Sequence, residues 1–396
     1  MLVFVLNAGS SSLKYQLIDI KSKELKASGL VERIGIDGIL KHEIGENKKI
    51  TFELPIPTHK EAIELVLRIL TNDETKVINS IDEIKAIGHR VVHGGEYFKG
   101  SVIVDDEVIR KIEELIPLAP LHNPANILGV KICQELMPKV PNVVTFDTAF
   151  HQTMPMENFL YAVPYADYTE HHLRKYGFHG TSHYYVSQEV IKLLNKKDSK
   201  VIVCHLGNGS SVCAVKDGKS ISTSMGLTPL EGLVMGTRSG DIDAGVIPYL
   251  MEKKGLNHIQ ILDYLNKKSG ILGVSGVSSD LREVIKAAND GDKRSKIAIT
   301  MLCDRIKKYL CSYAGLMHGV DAICFTAGIG ENSDLIREKV CEGLEFMGIE
   351  IDKDKNSKRE KGNREINTKN SKTKIFVIPT NEELVIATDT YNLLKK

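Results

Sequence analysis

One repeated triplet constrains this chain more than any other feature. Gly9-Ser10-Ser11 recurs as Gly209-Ser210-Ser211, 209 − 9 = 200 positions later in a chain of 396 residues. Each copy is entered by a β-favouring run, Leu2–Leu6 or Val201–Cys204, and leads into another, Leu13–Leu17 or Val212–Val215. Asp217-Gly218 then adds a hairpin signal after the second copy. Strand, small polar turn, strand, repeated at half the chain's length, predicts two related halves. Glycine lets backbone N–H groups converge where a Cβ would block them, and serine adds hydroxyl donors. Such a concavity suits a phosphate. Either copy alone also reads as a plain turn between strands, because Gly-Ser turns are common. Their spacing favours a pair of phosphate loops with a nucleotide tail held between two lobes.

A chain of 396 residues exceeds the ~250–300 at which one core stops growing, so two domains are expected. The net charge is +1 with no basic stripe among aromatics, which argues against nucleic acid as a partner. No apolar run approaches the ~18 residues of a membrane span, and Met1–Leu6 lacks a basic start and a cleavage site. Seven cysteines, an odd number without a CxxC pair, sit mostly in apolar runs such as those of Cys204, Cys213 and Cys324. Buried reduced thiols and a cytoplasmic location are the expectation.

Along the chain, Leu13–Ile20, Leu25–Arg33 and Lys49–Leu54 read as strands, and Thr58–Glu61 as a capping box opening a helix. Ile84–Ile87 is a strand running into Gly88-His89-Arg90-Val91-Val92-His93-Gly94-Gly95. Arg90 inside this apolar, glycine-bounded segment is either a structural ion pair or an anion site. Asn123 is expected to cap a helix with Pro124 in its first turn. Strand Val143–Phe146 delivers Asp147 at its end, where ligands meet open α/β sheets; a partner for a nearby amide is the bland alternative. Phe178-His179 is flanked by glycines, which singles out His179 without deciding between structure and catalysis, and Ser182 is expected to cap the next helix. Arg238 stands in a second glycine-framed turn. Two arginines on one small anion make sense where charge moves between oxygens.

Asp280-Leu281-Arg282 starts a helix, and Asp292–His318 is a long one whose apolar positions include Ile297, Met301, Ile306, Leu310, Tyr313 and Leu316. Strand Ala322–Phe325 ends in Gly328-Ile329-Gly330-Glu331-Asn332, a turn suited to a base or ribose but without GxGxxG spacing. The polar stretch Asp352–Lys372 reads as an exposed excursion with nothing functional on it. Thr380 and Glu383 have capping-box spacing, which leaves Glu382 free for a ligand or metal. GxxxxGK[ST], kinase HRD and DFG sets, HExxH and GxSxG are all absent from the sequence.

The segments Asn7–Lys14, Gly88–Gly95, Phe178–His183, His205–Ser211, Gly236–Asp241, Gly328–Asn332 and Pro379–Glu383 resemble the acetate kinase (acetokinase) family, in order and over the whole length. The resemblance implies an α/β fold of two domains, a duplicated βββαβαβα (actin-like ATPase, ribonuclease H-like) arrangement with an interdomain cleft. It puts 1–147 plus 383–396 in the N-terminal domain and 148–382 in a nucleotide-binding and dimerisation domain. It implies reversible transfer of the ATP γ-phosphoryl group to acetate, giving acetyl phosphate and ADP, with Mg²⁺ or Mn²⁺ as substitute, in a cytoplasmic homodimer.

By the same resemblance Arg90, Asp147, His179 and Arg238 are catalytic, and Asn7 and Glu382 lie on the metal. Arg90, Val92, Leu121, Phe178 and Pro229 meet the acid. Lys14, His205, Leu206, Gly207, Asn208, Gly209, Asp280, Leu281, Arg282, Gly328, Ile329, Gly330, Glu331 and Asn332 contact the nucleotide. A short carboxylic acid is already ionised at pH 7 and needs no general base, so Asp147 is expected to orient an arginine or a magnesium water. A propionate or butyrate kinase of the same fold and an Hsp70-like ATP-driven binding module are the competing functions.

Overall fold

The computed structural model of the chain describes residues 1–45 and 48–395; Lys396, the end of the expected 383–396 segment, lies outside them. Two compact units appear, Met1–Ala149 with Asn381–Lys396, and Phe150–Thr380. Glu382 therefore belongs with the first unit, not with the second where the sequence boundary put it.

The first unit is built on β1 (Leu2–Ala8), β2 (Leu13–Asp19), β3 (Glu24–Glu32), β4 (Ile39–Ile44), β5 (Lys48–Glu53), β6 (Ile84–Val91), β7 (Val102–Ile103) and β8 (Asn142–Phe146). They form one sheet in the order β5-β4-β3-β2-β1-β6-β8-β7. The second unit carries β9 (Lys200–Leu206), β10 (Ser210–Lys216), β11 (Lys219–Thr223), β12 (Ala322–Thr326), β13 (Arg364–Glu365) and β14 (Lys374–Val377). Their order is β11-β10-β9-β12-β14-β13. Each sheet contains the same core, an antiparallel three-strand meander followed by two parallel strands: β3-β2-β1-β6-β8 and β11-β10-β9-β12-β14. The duplication expected from the sequence holds at the level of topology.

Apolar runs at the centre of each sheet are explained by helices on both faces. Alternate residues of β1 point opposite ways. Phe4 and Leu6 join Ala62, Ile63 and Val66 of helix His59–Thr71, while Val3 and Val5 join Ile386 and Ala387 of helix Glu382–Leu394. In the second unit Val201 and Val203 pack with Val186 and Val190 of helix Gly180–Leu194. Ile202 and Cys204 face Leu302, Ile306 and Leu310 of helix Lys293–Met317. Gly88 lets β6 approach helix Glu382–Leu394 closely. A Cβ there would lie 2.6 Å from Ile386 Cγ2 and 2.8 Å from Thr390 Oγ1.

Register corrects the triplet match in detail. The first hairpin closes on the pair Ala8–Leu13 and the second on Leu206–Ser210. The equivalent offsets are thus 206 − 8 = 198 and 210 − 13 = 197, with one residue fewer in the second turn. Ser10 and Ser11 are exposed turn residues, whereas Ser210 and Ser211 are buried in a strand.

Other expectations also change. The long helix buries Ile299, Leu302, Ile306, Leu310, Tyr313 and Met317; Ile297, Met301 and Leu316 lie off that stripe, at 53%, 41% and 42% exposure. Asp352–Lys372 is mostly exposed, as expected, but it is not without structure. It contains helix Lys353–Ser357 and β13, and buries Asn356, Ile366 and Asn367. Arg337, itself buried, donates to Asn356 Oδ1 at 2.7 Å and to the carbonyls of Asn356, Gly330 and Glu331 at 2.8, 2.8 and 2.9 Å. Buried asparagines satisfied in this way leave no apolar trace in the sequence. Helix Asn123–Leu136 takes His122, not Asn123, as its N-cap. Among the described residues no helix is long and apolar enough to cross a membrane.

Candidate active site

In the first unit, strand ends bring charge together. Arg90, near the end of β6, is bidentate with Asp147, the residue after β8: Nε to Oδ1 is 2.9 Å and Nη2 to Oδ2 is 2.5 Å. Its Nη1 lies 3.4 Å from Asn7 Oδ1 on β1. Asp147 is 1% exposed, and this bidentate pair offsets the cost of burying its charge. Burial disfavours the Arg90 charge, but Asp147 outweighs that and holds its pKa above the ordinary value.

Helix Glu382–Leu394 is capped by Asn381, which accepts from Leu384 N at 3.1 Å. The expected Thr380–Glu383 capping box does not form. Glu383 instead pairs with Lys14, and the Thr380 hydroxyl donates to Ser182 at 2.8 Å. Glu382 has no ion-pair partner among the described residues. Burial first, then Asp147 and Glu383 against the pull of Arg90 and Lys14, raise its pKa above the usual carboxylate range. Among the described residues no three His, Cys, Asp or Glu side chains form a metal-binding group.

The second unit gathers histidine rings and a guanidinium around one glycine turn. His179 takes a left-handed φ of +56° immediately before helix Gly180–Leu194, a strained backbone for a non-glycine residue. Ser182 lies inside that helix and not at its cap. Its hydroxyl bonds His205 Nδ1 at 2.7 Å. The His179 and His205 rings stack with centroids 4.1 Å apart. His179 Nδ1 is 2.9 Å from Ser211 Oγ, and the His151 ring bonds the Phe178 carbonyl at 2.9 Å.

A Cβ built on Gly209 would lie 3.5 Å from Arg238 Nη1 and 3.7 Å from His179 Nε2. A guanidinium and an imidazole nitrogen thus face the bare backbone of one glycine turn. Arg238 touches the Pro229 carbonyl at 3.3 Å and Met235 Sδ at 3.8 Å, with no acidic partner among the described residues. Burial lowers its pKa. An uncompensated, partly desolvated guanidinium of this kind favours an incoming anion.

Beside that turn lies a cavity of about 820 Å³, lined by Gly207, Asn208, Asp280, Leu281, Arg282, Gly328, Ile329 and Asn332 together with residues that sequence reasoning missed. The missed ones are Ser279, Ile285, Ser333, Asp334, Leu335 and Arg359. Ile285 was findable, being four positions after Leu281 on one helix. Arg359 carries no sequence signal. Asp280 caps its helix and pairs with the guanidinium of Arg282. Ala327, at φ +64°, forces the turn that opens Gly328–Asn332, and Glu331 spends its carboxylate on Ala327 N and Thr380 N at 2.9 and 3.3 Å.

Of the remaining residues, Leu206 and Gly330 are buried away from the cavity lining, and His205 belongs to the histidine stack. Val92 and Phe178 are buried, Pro229 is half-buried and Leu121 is 67% exposed. Val92 and Leu121 belong to the first unit, Phe178 and Pro229 to the second.

The sequence profile of the acetokinase family matches residues 2–388. The chain is 55% identical to an acetate kinase of Treponema denticola and 56% identical to one of Fusobacterium nucleatum, each over 100% of both chains. The crystal structure of Porphyromonas gingivalis acetate kinase superposes with a TM-score of 0.95 at 48% identity, covering 99% of each chain. A propionate kinase from Francisella tularensis reaches 0.93 at 46% identity, again over 99% of each. With strand ends that carry charge, a glycine turn faced by a guanidinium and an imidazole, and likeness of this extent along its whole length, the chain belongs to the acetokinase family.

Proposed function

We propose that the chain transfers the γ-phosphoryl group of ATP to acetate, reversibly and directly, giving acetyl phosphate and ADP. The observation that carries the reading is the unpaired Arg238 guanidinium converging with His179 on the Gly209 turn beside the 820 Å³ cavity. The barrier in this reaction lies in bringing two anions together and spreading charge over equatorial oxygens. Arg238 and His179 are donors to the phosphoryl oxygens, and the cavity receives the nucleoside. Arg90 binds the acetate carboxylate. Asp147, committed to Arg90 through both oxygens, orients that arginine and takes no proton. Lys14, paired with Glu383, adds a cation toward the nucleotide.

Glu382 and Asn7 would hold Mg²⁺. The fit is supported by a carboxyl group without an ion-pair partner that feels the charge of Arg90, whose Nη1 lies 3.4 Å from the Asn7 amide oxygen, a sparse set suited to an ion that keeps most of its waters. Bound there, the ion would neutralise phosphate charge. The seven cysteines are all free, which supports a reducing, cytoplasmic setting. Exposed Ile259 and Leu262 on the second unit support a homodimer, since a second copy would cover them.

Acyl hydroxamate formation from ATP, hydroxylamine and a panel of short acids tests the function; absence of product with acetate refutes it. Likeness to the Francisella propionate kinase gives one second reading, that propionate is an equal or better acceptor. Comparing kcat/KM for the two acids decides.

A further inference from the structure

The hydroxyl of Ser211 stands between two histidine rings, 2.9 Å from His179 Nδ1 and 2.7 Å from His183 Nε2. It is fully buried, and among the described residues it has no third partner. A serine has one hydrogen to give. That hydrogen goes to one ring nitrogen, and the other nitrogen must donate. The protonation of His179 Nδ1 and His183 Nε2 is therefore opposed: when one carries hydrogen the other does not.

His183 settles the direction. Burial, then the neighbouring His151 and His205, push its pKa well below the ordinary value, so the ring is neutral with a single N–H. Its Nδ1 is buried without a partner. Were the hydrogen on Nδ1, an N–H donor would be orphaned in the interior, and orphaned donors are rarer than under-used acceptors. With the hydrogen on Nε2, His183 donates to Ser211 and Ser211 donates to His179 Nδ1. The hydrogen of His179 then sits on Nε2, the nitrogen facing the Gly209 turn.

The stacked neighbour is built the same way. Thr380 donates to Ser182, so Ser182 donates to His205 Nδ1 and that ring also carries its hydrogen on Nε2.

We propose that Ser211 and His183 are positioning residues that lock His179 as the Nε2–H tautomer, so that it presents a donor and not a lone pair to an anionic oxygen. This rests on the phosphoryl-transfer reading above and names how its histidine is prepared. The same relay opposes charging of His179. A second hydrogen on Nδ1 would reverse Ser211 and drive the hydrogen of His183 onto its partnerless Nδ1.

The test is long-range ¹⁵N–¹H correlation on the full chain labelled with ¹⁵N-histidine, with His179 assigned from the His179→Gln difference. A pyrrole-type Nε2 and a pyridine-type Nδ1 at neutral pH are expected. In Ser211→Ala the His179 signals should move toward mixed tautomers. Its kcat should fall about 10- to 100-fold, as for other partners that fix a ring's tautomer, with both KM values within about twofold. An Nδ1–H or doubly protonated His179 in the unaltered chain overturns the proposal. So does a Ser211→Ala variant that keeps both tautomer and kcat. Should Ser211→Ala fail to fold, the spectrum of the unaltered chain decides alone. A chain that makes no acetyl phosphate yet shows the Nε2–H ring sinks the reaction and leaves the lock standing; the opposite result sinks the lock alone.

Discussion

Replacing each of the two arginines should separate catalysis from stability, because their surroundings differ. Arg90 is locked bidentate to Asp147, which is 1% exposed. Arg90→Ala leaves that carboxylate buried and uncompensated, at about 3–5 kcal/mol of folding stability. Arg238 leaves behind only a long contact to the Pro229 carbonyl at 3.3 Å and one to Met235 sulfur at 3.8 Å. Arg238→Ala should therefore cost about 1 kcal/mol or less in folding. Both substitutions remove charge stabilisation from the reaction, about 3 kcal/mol or more, which is 100-fold or greater in kcat/KM. Hydroxamate kinetics and urea unfolding of both variants, at one salt concentration, provide the assay. Equal destabilisation of the two variants would refute the assignment of a partnered and an unpartnered arginine. Nearly unchanged acetyl phosphate synthesis in both would refute their catalytic roles.

Arg359→Ala should raise the KM for ATP about two- to fivefold with the KM for acetate unchanged, as loss of an exposed cation over a base would; an unchanged ATP KM removes Arg359 from nucleotide binding. Val92→Ala should favour propionate over acetate in kcat/KM by about 1–3 kcal/mol, and an unchanged ratio would show that Val92 does not meet the acid's alkyl end. Glu382→Gln should raise the half-saturating Mg²⁺ concentration at least about tenfold, measured by metal titration after EDTA treatment; an unchanged titration moves the metal elsewhere. His89 and His93, both buried, have pKa values pushed down by burial to about 4. They stay neutral in the folded unit while the unfolded chain binds protons below about 6.5, so stability should be full above that pH and fall toward 4, by about 3 kcal/mol per histidine. Urea midpoints that do not move between pH 7 and pH 5 would contradict this.

Much of the fold was legible because it is written in periodicity. The strand pairs around each Gly-Ser turn, the Asp217-Gly218 hairpin and the burial of both central strands follow from local apolar runs. The triplet match located the duplication but not its register, since β10 begins at Ser210 whereas Ser10 and Ser11 stay in the turn. What failed has a common cause, polar groups whose partners are distant in sequence. Ser182 looks like a cap by position, yet it serves His205, and Glu383 looks like a capping-box partner, yet it serves Lys14. Asp352–Lys372 reads as solvated because nothing local reveals that Arg337 will bury Asn356. His183 could have been flagged, four positions after His179, where neighbours along a helix meet one surface.

The two halves began from one topology and have diverged in how they hold charge. The first stores its charges in pairs, Arg90 with Asp147 and Lys14 with Glu383, and leaves the Glu382 carboxyl unpaired. In the second, the Gly209 turn has an unpaired Arg238 and stacked histidines hydrogen-bonded through serines. This division suits the two substrates. On the proposed reading, a carboxylate of single charge bound by an arginine already balanced by Asp147 would be held loosely enough to be given up as product. A phosphoryl group of higher charge would, on the proposed reading, be met by a guanidinium that no acidic group among the described residues satisfies. Donors fixed by buried hydrogen bonds need no reorganisation when the charge arrives, which is the condition under which such groups contribute most to a transition state.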